Sequence, residues 1–250
     1  MLSKNKIKQI LSLSHRKERE EASLFVAEGN KTVADLLPLF RCRTLIVTEE
    51  FREKLSHCQA EEIIIATKEE IKKASQLNTP QSALAVFYQP AYTLDIASLK
   101  NKFSLMLETI QNPGNLGTII RVADWFGIEY IICSEDTVDA YNPKTIQATM
   151  GAIGRVRVHY RNLEKFLDEI PDIHIFGTFL EGENIYKTSL PAKGILLMGN
   201  EGKGISPKLE KRVTRKLFIP NFPADRKTSE SLNVAMAAAI ACSEFRRGLA

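Results

Sequence analysis

The sequence predicts a mostly parallel α/β sheet with helices on both faces over residues 100–250, preceded by a small α/β domain over residues 1–92. Three observations carry this reading. Short apolar runs at residues 103–107, 130–133, 156–159, 174–178, 194–198 and 217–220 alternate with helical stretches, the pattern of βα units. The 250 residues exceed the roughly 100–200 of one ordinary domain. The apolar share of 44% and charged share of 26% allow a normal core.

In chain order, Ile7, Ile10, Leu11 and Ser14 have helical spacing, so residues 3–13 are read as an amphipathic helix. A strand at 24–27, a helix after Asn30, a strand at 44–47 and a helix near 49–55 follow. A strand at 63–66 leads into a helix capped by Thr67, with Glu70 three residues on as a capping box. The strand at 82–88 closes the first domain, and Pro90 with residues 92–100 reads as a linker. The last helix, 232–247, carries Ala235, Ala237, Ala238, Ala239 and Ala241, so its backbone can approach a neighbour closely.

Composition excludes several classes. Cys42, Cys58, Cys133 and Cys242 are far apart and form no C-x-x-C pair, which argues against zinc ribbons, redox motifs and a disulfide framework and favours a reducing cytoplasm. No run of about 18 apolar residues occurs, so neither secretion nor membrane insertion is expected. His15, His57, His159 and His174 are isolated, and no metal site is expected. The formal net charge of +4 is too mild to specify nucleic acid. Two segments are locally basic: residues 1–21 hold six Lys or Arg against three Glu, and residues 202–227 hold eight against Glu210 and Asp225. Each is read either as a solvated face or as a phosphate-contacting surface.

Three loops concentrate polar residues where a parallel sheet binds ligands, beyond the carboxyl ends of its strands. The first runs from Gln111 through Asn112, Pro113, Gly114, Asn115 and Gly117 to Arg121. Asn115 reads as a helix N-cap or a functional side chain. Arg121, among Ile119, Ile120, Val122 and Ala123, would be expensive to bury unless it is paired or binds an anion. The second loop follows Leu197 and Met198 and reads Gly199, Asn200, Glu201, Gly202, Lys203, Gly204; its glycines permit positive φ and close backbone approach. Neither a P-loop nor G-x-G-x-x-G is present. The third comprises Ile219-Pro220-Asn221-Phe222 and then Ser229, Ser231, Leu232 and Asn233, where Ser229 or Ser231 is expected to cap the Ala-rich helix and Asn233 to lie in its first turn.

In their order and spacing, N-P-x-N-x-G-x-x-x-R, L-x-G-N-E-G-x-G and I-P followed by S-L-N-V-A resemble the SpoU (TrmH) family of RNA ribose 2′-O-methyltransferases, within the SPOUT class. The resemblance spans about residues 100–250. Arg16 and the segment from Phe25 to Gly29 look like the RNA substrate-binding domain that many members carry, similar to some ribosomal proteins. The resemblance implies a C-terminal trefoil knot, an exception to unthreaded chains, a homodimer, S-adenosylmethionine as cofactor, and structured ribosomal or transfer RNA as substrate. It assigns catalysis to Asn115, Arg121, Glu201, Ser231 and Asn233, and cofactor binding to Leu197, Met198, Gly199, Gly202, Ile219 and Leu232. Arg121 would serve as an unusual base or as a phosphate and alkoxide clamp, because a guanidinium is a poor base at neutral pH. The competing readings are a non-catalytic RNA-binding member, a base methyltransferase of the knotted class, and a nucleotide-dependent enzyme on a simple doubly wound sheet. One departure from the family pattern is the stretch from Asn221 to Thr228, which replaces a Gly-containing link.

Overall fold

The computed structural model describes residues 2–55, 59–223, 226 and 229–248. His57 and Cys58 lie outside the described residues, as do Ala224, Asp225, Lys227 and Thr228 of the 221–228 stretch. The chain forms two compact units, one of Met1–Ala91 with Asp139–Arg155 and the other of Tyr92–Val138 with Val156–Ala250.

In the first unit, α1 (Lys4–Ser12), α2 (Arg16–Ala22), β1 (Leu24–Glu28), α3 (Asn30–Leu36), β2 (Cys42–Val47), α4 (Glu49–Glu53), β3 (Ala60–Ile65), α5 (Lys68–Ala74) and β4 (Ala83–Tyr88) follow one another. The strands form a mixed sheet of order β1-β4-β2-β3, with β4 antiparallel to both of its neighbours and β2 parallel to β3. Ile10 and Leu13 of the first helical segment pack with Leu24, Val26, Ile46, Ile71 and Leu84. Leu11, expected on that face, is exposed. The capping box at α5 is present, Thr67 accepting from the Glu70 N–H and Glu70 from the Thr67 N–H. Helix α2 has too few apolar residues for a helical period to show; it is held by i,i+4 ion pairs from Arg16 and Lys17 and by the buried Arg19. Residues 139–155 join this unit: Arg19 pairs with Asp139 at 2.6 Å, and the ring of Tyr141 lies 4.9 Å from that of Phe25.

The second unit opens with α6 (Ile96–Leu99), inside the stretch read as a linker. Asp95 caps this helix, and Leu94 and Leu99 are buried in the core, which is why the stretch is ordered. Then come β5 (Phe103–Leu107), α7 (Pro113–Trp125) and β6 (Tyr130–Ser134); α8 (Pro143–Thr149) belongs to the first unit. The remainder is β7 (Arg157–Arg161), α9 (Leu163–Glu169), β8 (Ile175–Phe179), the two-residue β9 (Glu183–Asn184), β10 (Gly194–Met198), α10 (Pro207–Glu210), β11 (Arg215–Phe218) and α11 (Val234–Arg247). Among the described residues, seven strands pair in the order β7-β6-β5-β10-β8-β11-β9, every pair parallel.

Alternation along the strands sends successive side chains to opposite faces. Met106, Ile132, Ile195 and Leu197 pack with Leu163, Phe166, Leu167 and Leu209 of α9 and α10. On the other face, Phe245 of α11 stacks on Phe103 at 4.3 Å and meets Phe176 edge-on. Helix α11 packs on α7, where small buried residues, Ala235, Ala238 and Ala241 on one helix and Gly117 and Ala123 on the other, favour a close approach.

Candidate active site

The site is a consequence of strand order. β5 and β10 are neighbours in register, Leu107 opposite Met198, so the loops leaving them emerge side by side although 90 residues separate Gln111 from Glu201. The close approach of the second loop to itself demands glycine at 199: a Cβ there would lie 2.2 Å from the carbonyl carbon of Gly204. Asn200 shapes the turn, its side-chain oxygen accepting from the N–H groups of Gly202 and Lys203 at 3.0 and 2.9 Å.

The caps differ from expectation. Asn112 caps α7, accepting from Gly114 and Asn115 N–H groups, and Pro113 takes the first helical position. An Asn-Pro pair is a sufficient signal for this, because proline at that position lacks an N–H that would be unsatisfied anyway. Asn115 is therefore released from capping. Likewise Asn233, rather than Ser229 or Ser231, caps α11 through the N–H groups of Ala235 and Met236.

Released, Asn115 bridges the loops. Its amide nitrogen donates to Glu201 Oε1 at 3.0 Å, and its oxygen accepts from the Asn233 amide at 3.0 Å. Glu201 also accepts longer bonds, 3.4 Å each, from the Gln111 and Asn112 N–H groups. Burial pushes the Glu201 carboxyl up, but the bonds from Asn115 and from backbone N–H groups outweigh it and hold the group below the ordinary carboxylate range. A cleft of about 560 Å³ opens here, lined by Gln111, Asn112, Asn115, Glu201, Ser231 and Asn233, with Pro113, Leu232 and Val234.

Four of the five residues assigned to catalysis thus meet: Asn115, Glu201, Ser231 and Asn233. Arg121 does not line this cleft. It is exposed rather than buried among its apolar neighbours, and it makes no ion pair with a described residue. Of the residues assigned to the cofactor, Leu232 lines the cleft and is half exposed. Leu197 and Met198 are buried in β10, Gly199 and Gly202 lie in the following loop, and Ile219 follows β11. Gln111, Asn112, Pro113 and Val234 line the cleft without having been singled out for it.

The two basic segments resolve largely into surface ion pairs. Lys6 pairs with Glu62, Lys208 with Glu164, Arg212 with Asp168, Arg215 with Glu183 and Lys216 with Glu210. Lys4, Lys8, Lys203 and Lys211 stay exposed without such partners among the described residues. Of the histidines, His159 is buried and His15 and His174 are exposed.

A parallel α/β sheet with a polar cleft at the carboxyl ends of adjacent strands defines a class of fold in which small ligands bind at that position. The chain belongs to the SpoU rRNA methylase family, whose profile matches residues 102–243; an MRM3-like substrate binding domain matches residues 4–85. It is similar to the 23S rRNA (guanosine(2553)-2′-O)-methyltransferase RlmP of Bacillus subtilis, with 29% identity over 245 residues and 96% of both chains covered. Among solved structures, a TrmH-family protein from Porphyromonas gingivalis is 38% identical with a TM-score of 0.89 over 99% of both chains. An AdoMet-bound rRNA methyltransferase from Sinorhizobium meliloti is 30% identical with a TM-score of 0.85, over 100% of this chain and 97% of that one.

Proposed function

We propose that the chain transfers a methyl group from S-adenosylmethionine to a ribose 2′-hydroxyl of ribosomal RNA. The observation that carries this reading is the hydrogen-bonded chain from Asn233 through Asn115 to Glu201 beside the cleft, in a member of the SpoU family. The residues present fit the cofactor. The cleft lies within the range of about 300–1,000 Å³ common for small-molecule sites, and it offers an ionised carboxylate and two amides to a ligand bearing cationic sulfonium and ammonium groups. When bound, S-adenosylmethionine supplies an activated methyl group.

The protein's contribution is positioning and electrostatics. Glu201 fixes the Asn115 amide from one side and Asn233 fixes it from the other, so its orientation is set before substrate arrives. Ser231 lines the cleft at the approach to α11. Leu197, Met198, Gly199, Gly202, Ile219 and Leu232 are assigned to holding the cofactor. In this reading Arg121 clamps the RNA phosphate and the developing alkoxide rather than serving as the base, since a guanidinium is a poor base at neutral pH.

The chain works as a homodimer in this reading. The exposed Trp125, Leu180, Tyr186 and Met236 of the second unit support it. The C-terminal part is read as a trefoil knot, supported by the insertion of β10 between β5 and β8 and by the packing of α11 on α7. The first unit is read as the RNA-binding domain, supported by its family match. A reducing cytoplasm is read from the four widely spaced cysteines, which form no C-x-x-C pair.

Methylation of ribosomal RNA with labelled S-adenosylmethionine, followed by alkaline hydrolysis, tests the assignment. A ribose mark yields label in alkali-resistant dinucleotides, whereas label confined to mononucleotides as a methylated base would overturn it. Arg121→Ala is expected to lower the single-turnover rate by about two orders of magnitude with cofactor binding intact.

A further inference from the structure

The loop leaving β5 starts with Thr109 in the left-handed backbone region, at φ 53°. A β-branched residue is an outlier there and persists only when its surroundings hold it. Three hydrogen bonds do so. The Thr109 N–H donates to Ser134 Oγ at 2.7 Å, its hydroxyl donates to Asp136 Oδ2 at 2.8 Å, and its carbonyl accepts from Asn200 Nδ2 at 2.8 Å. The next residue is tied to the same side, with the Ile110 N–H donating to Thr137 Oγ1 at 3.2 Å and its carbonyl accepting from Val138 N–H at 2.8 Å. Immediately after this anchored pair, the Gln111 and Asn112 N–H groups reach Glu201.

We propose that Thr109 and Asp136 are positioning residues for methyl transfer: their bond pins the left-handed turn that aims the Gln111 and Asn112 N–H groups at Glu201. Neither residue lines the cleft. Their effect travels through Glu201 to the Asn115 amide, and Asn200 joins the same turn to the second loop. The geometry explains why a threonine rather than a glycine is tolerated at φ 53°: the hydroxyl that accompanies the unfavourable branch is also what anchors it. The inference rests on the methyl-transfer reading for its effect on rate and on the backbone alone for its effect on the loop.

Asp136 is exposed, so Asp136→Ala should leave the fold intact. In the full chain, Asp136→Ala is expected to slow single-turnover methylation about tenfold, the size of loss that small misplacement produces, with RNA and cofactor affinity unchanged. Adding Thr109→Gly to Asp136→Ala should restore most of the rate, because glycine adopts positive φ without a clamp. A merely stabilising role for Asp136 predicts no such rescue. Backbone hydrogen exchange at Gln111 and Asn112 supplies a readout independent of turnover: faster in Asp136→Ala and slowed again in the double variant. A wild-type rate in Asp136→Ala, a double variant no faster than the single one, or unchanged exchange overturns the clamp. Absence of RNA methylation by the wild-type chain would instead overturn the methyl-transfer reading, with the exchange data still deciding the clamp.

Discussion

Glu201 is the residue on which the cleft's hydrogen bonds converge. Its carboxyl is held below the ordinary range because the Asn115 amide and backbone N–H groups outweigh the opposing effect of burial. A carboxyl depressed in the folded state contributes stability that is complete above its unfolded pKa and is lost as pH falls through its folded pKa. Glu201→Gln should therefore unfold at lower urea concentration than wild type at pH 7, and the gap in midpoints should shrink on acidification below the ordinary carboxylate range. A gap that is constant with pH would show that the charge of Glu201 contributes nothing to the loop. At this scale the sequence foretold that Asn115, Glu201, Ser231 and Asn233 come together at one cleft, since polar groups in strand-end loops gather beyond the carboxyl ends of a parallel sheet. It misled on the burial of Arg121, which is exposed. Its neighbours Ile119, Ile120 and Ala123 are buried, but each residue along a helix turns by about 100°, so adjacency in sequence is not adjacency on a face.

Among the elements, α7 and α11 set the cleft walls, and each starts on an asparagine cap. Removing a cap leaves N–H groups unsatisfied, so Asn112→Ala should destabilise the protein by about 1 kcal/mol, read as a shift in the denaturation midpoint. Ser231→Ala should leave the midpoint unchanged, because Ser231 caps nothing. The reverse ranking would return the capping role to the serine. Strand periods were legible because βα alternation is long and regular, and the Ala-rich run foretold a close helix contact that α7 supplies. What was hidden is which strands are neighbours. Nothing in residues 103–107 or 194–198 states that they pair, and that pairing is what brings Gln111 beside Glu201. Helix α2 was hidden for a different reason: its support is a single buried cation and surface ion pairs, which leave no apolar period.

For the whole molecule, contiguity in sequence and membership of a unit diverge. Residues 139–155 lie between β6 and β7 in sequence yet pack with the first unit. Their anchor is Arg19, 1% exposed, whose Nε and Nη2 both donate to Asp139 Oδ2 while Nη1 donates to the Leu13 and Ser14 carbonyls. These bonds satisfy the buried guanidinium, and among the described residues only Asp139 pairs with its charge. Asp139→Ala would leave the charge buried and unpaired, for which about 3–5 kcal/mol of destabilisation is the expected scale. Replacing both partners, as in Arg19→Met with Asp139→Ala, should recover a large part of that loss because the unpaired charge goes with its partner. Urea denaturation of the single and double variants of the full chain measures both effects. A single variant as stable as wild type would mean that water reaches Arg19 once Asp139 is gone. If the double variant recovers, a carboxylate from residues 139–155 is part of what holds the first unit together, and residues 1–91 taken alone would bury Arg19 without its counterion.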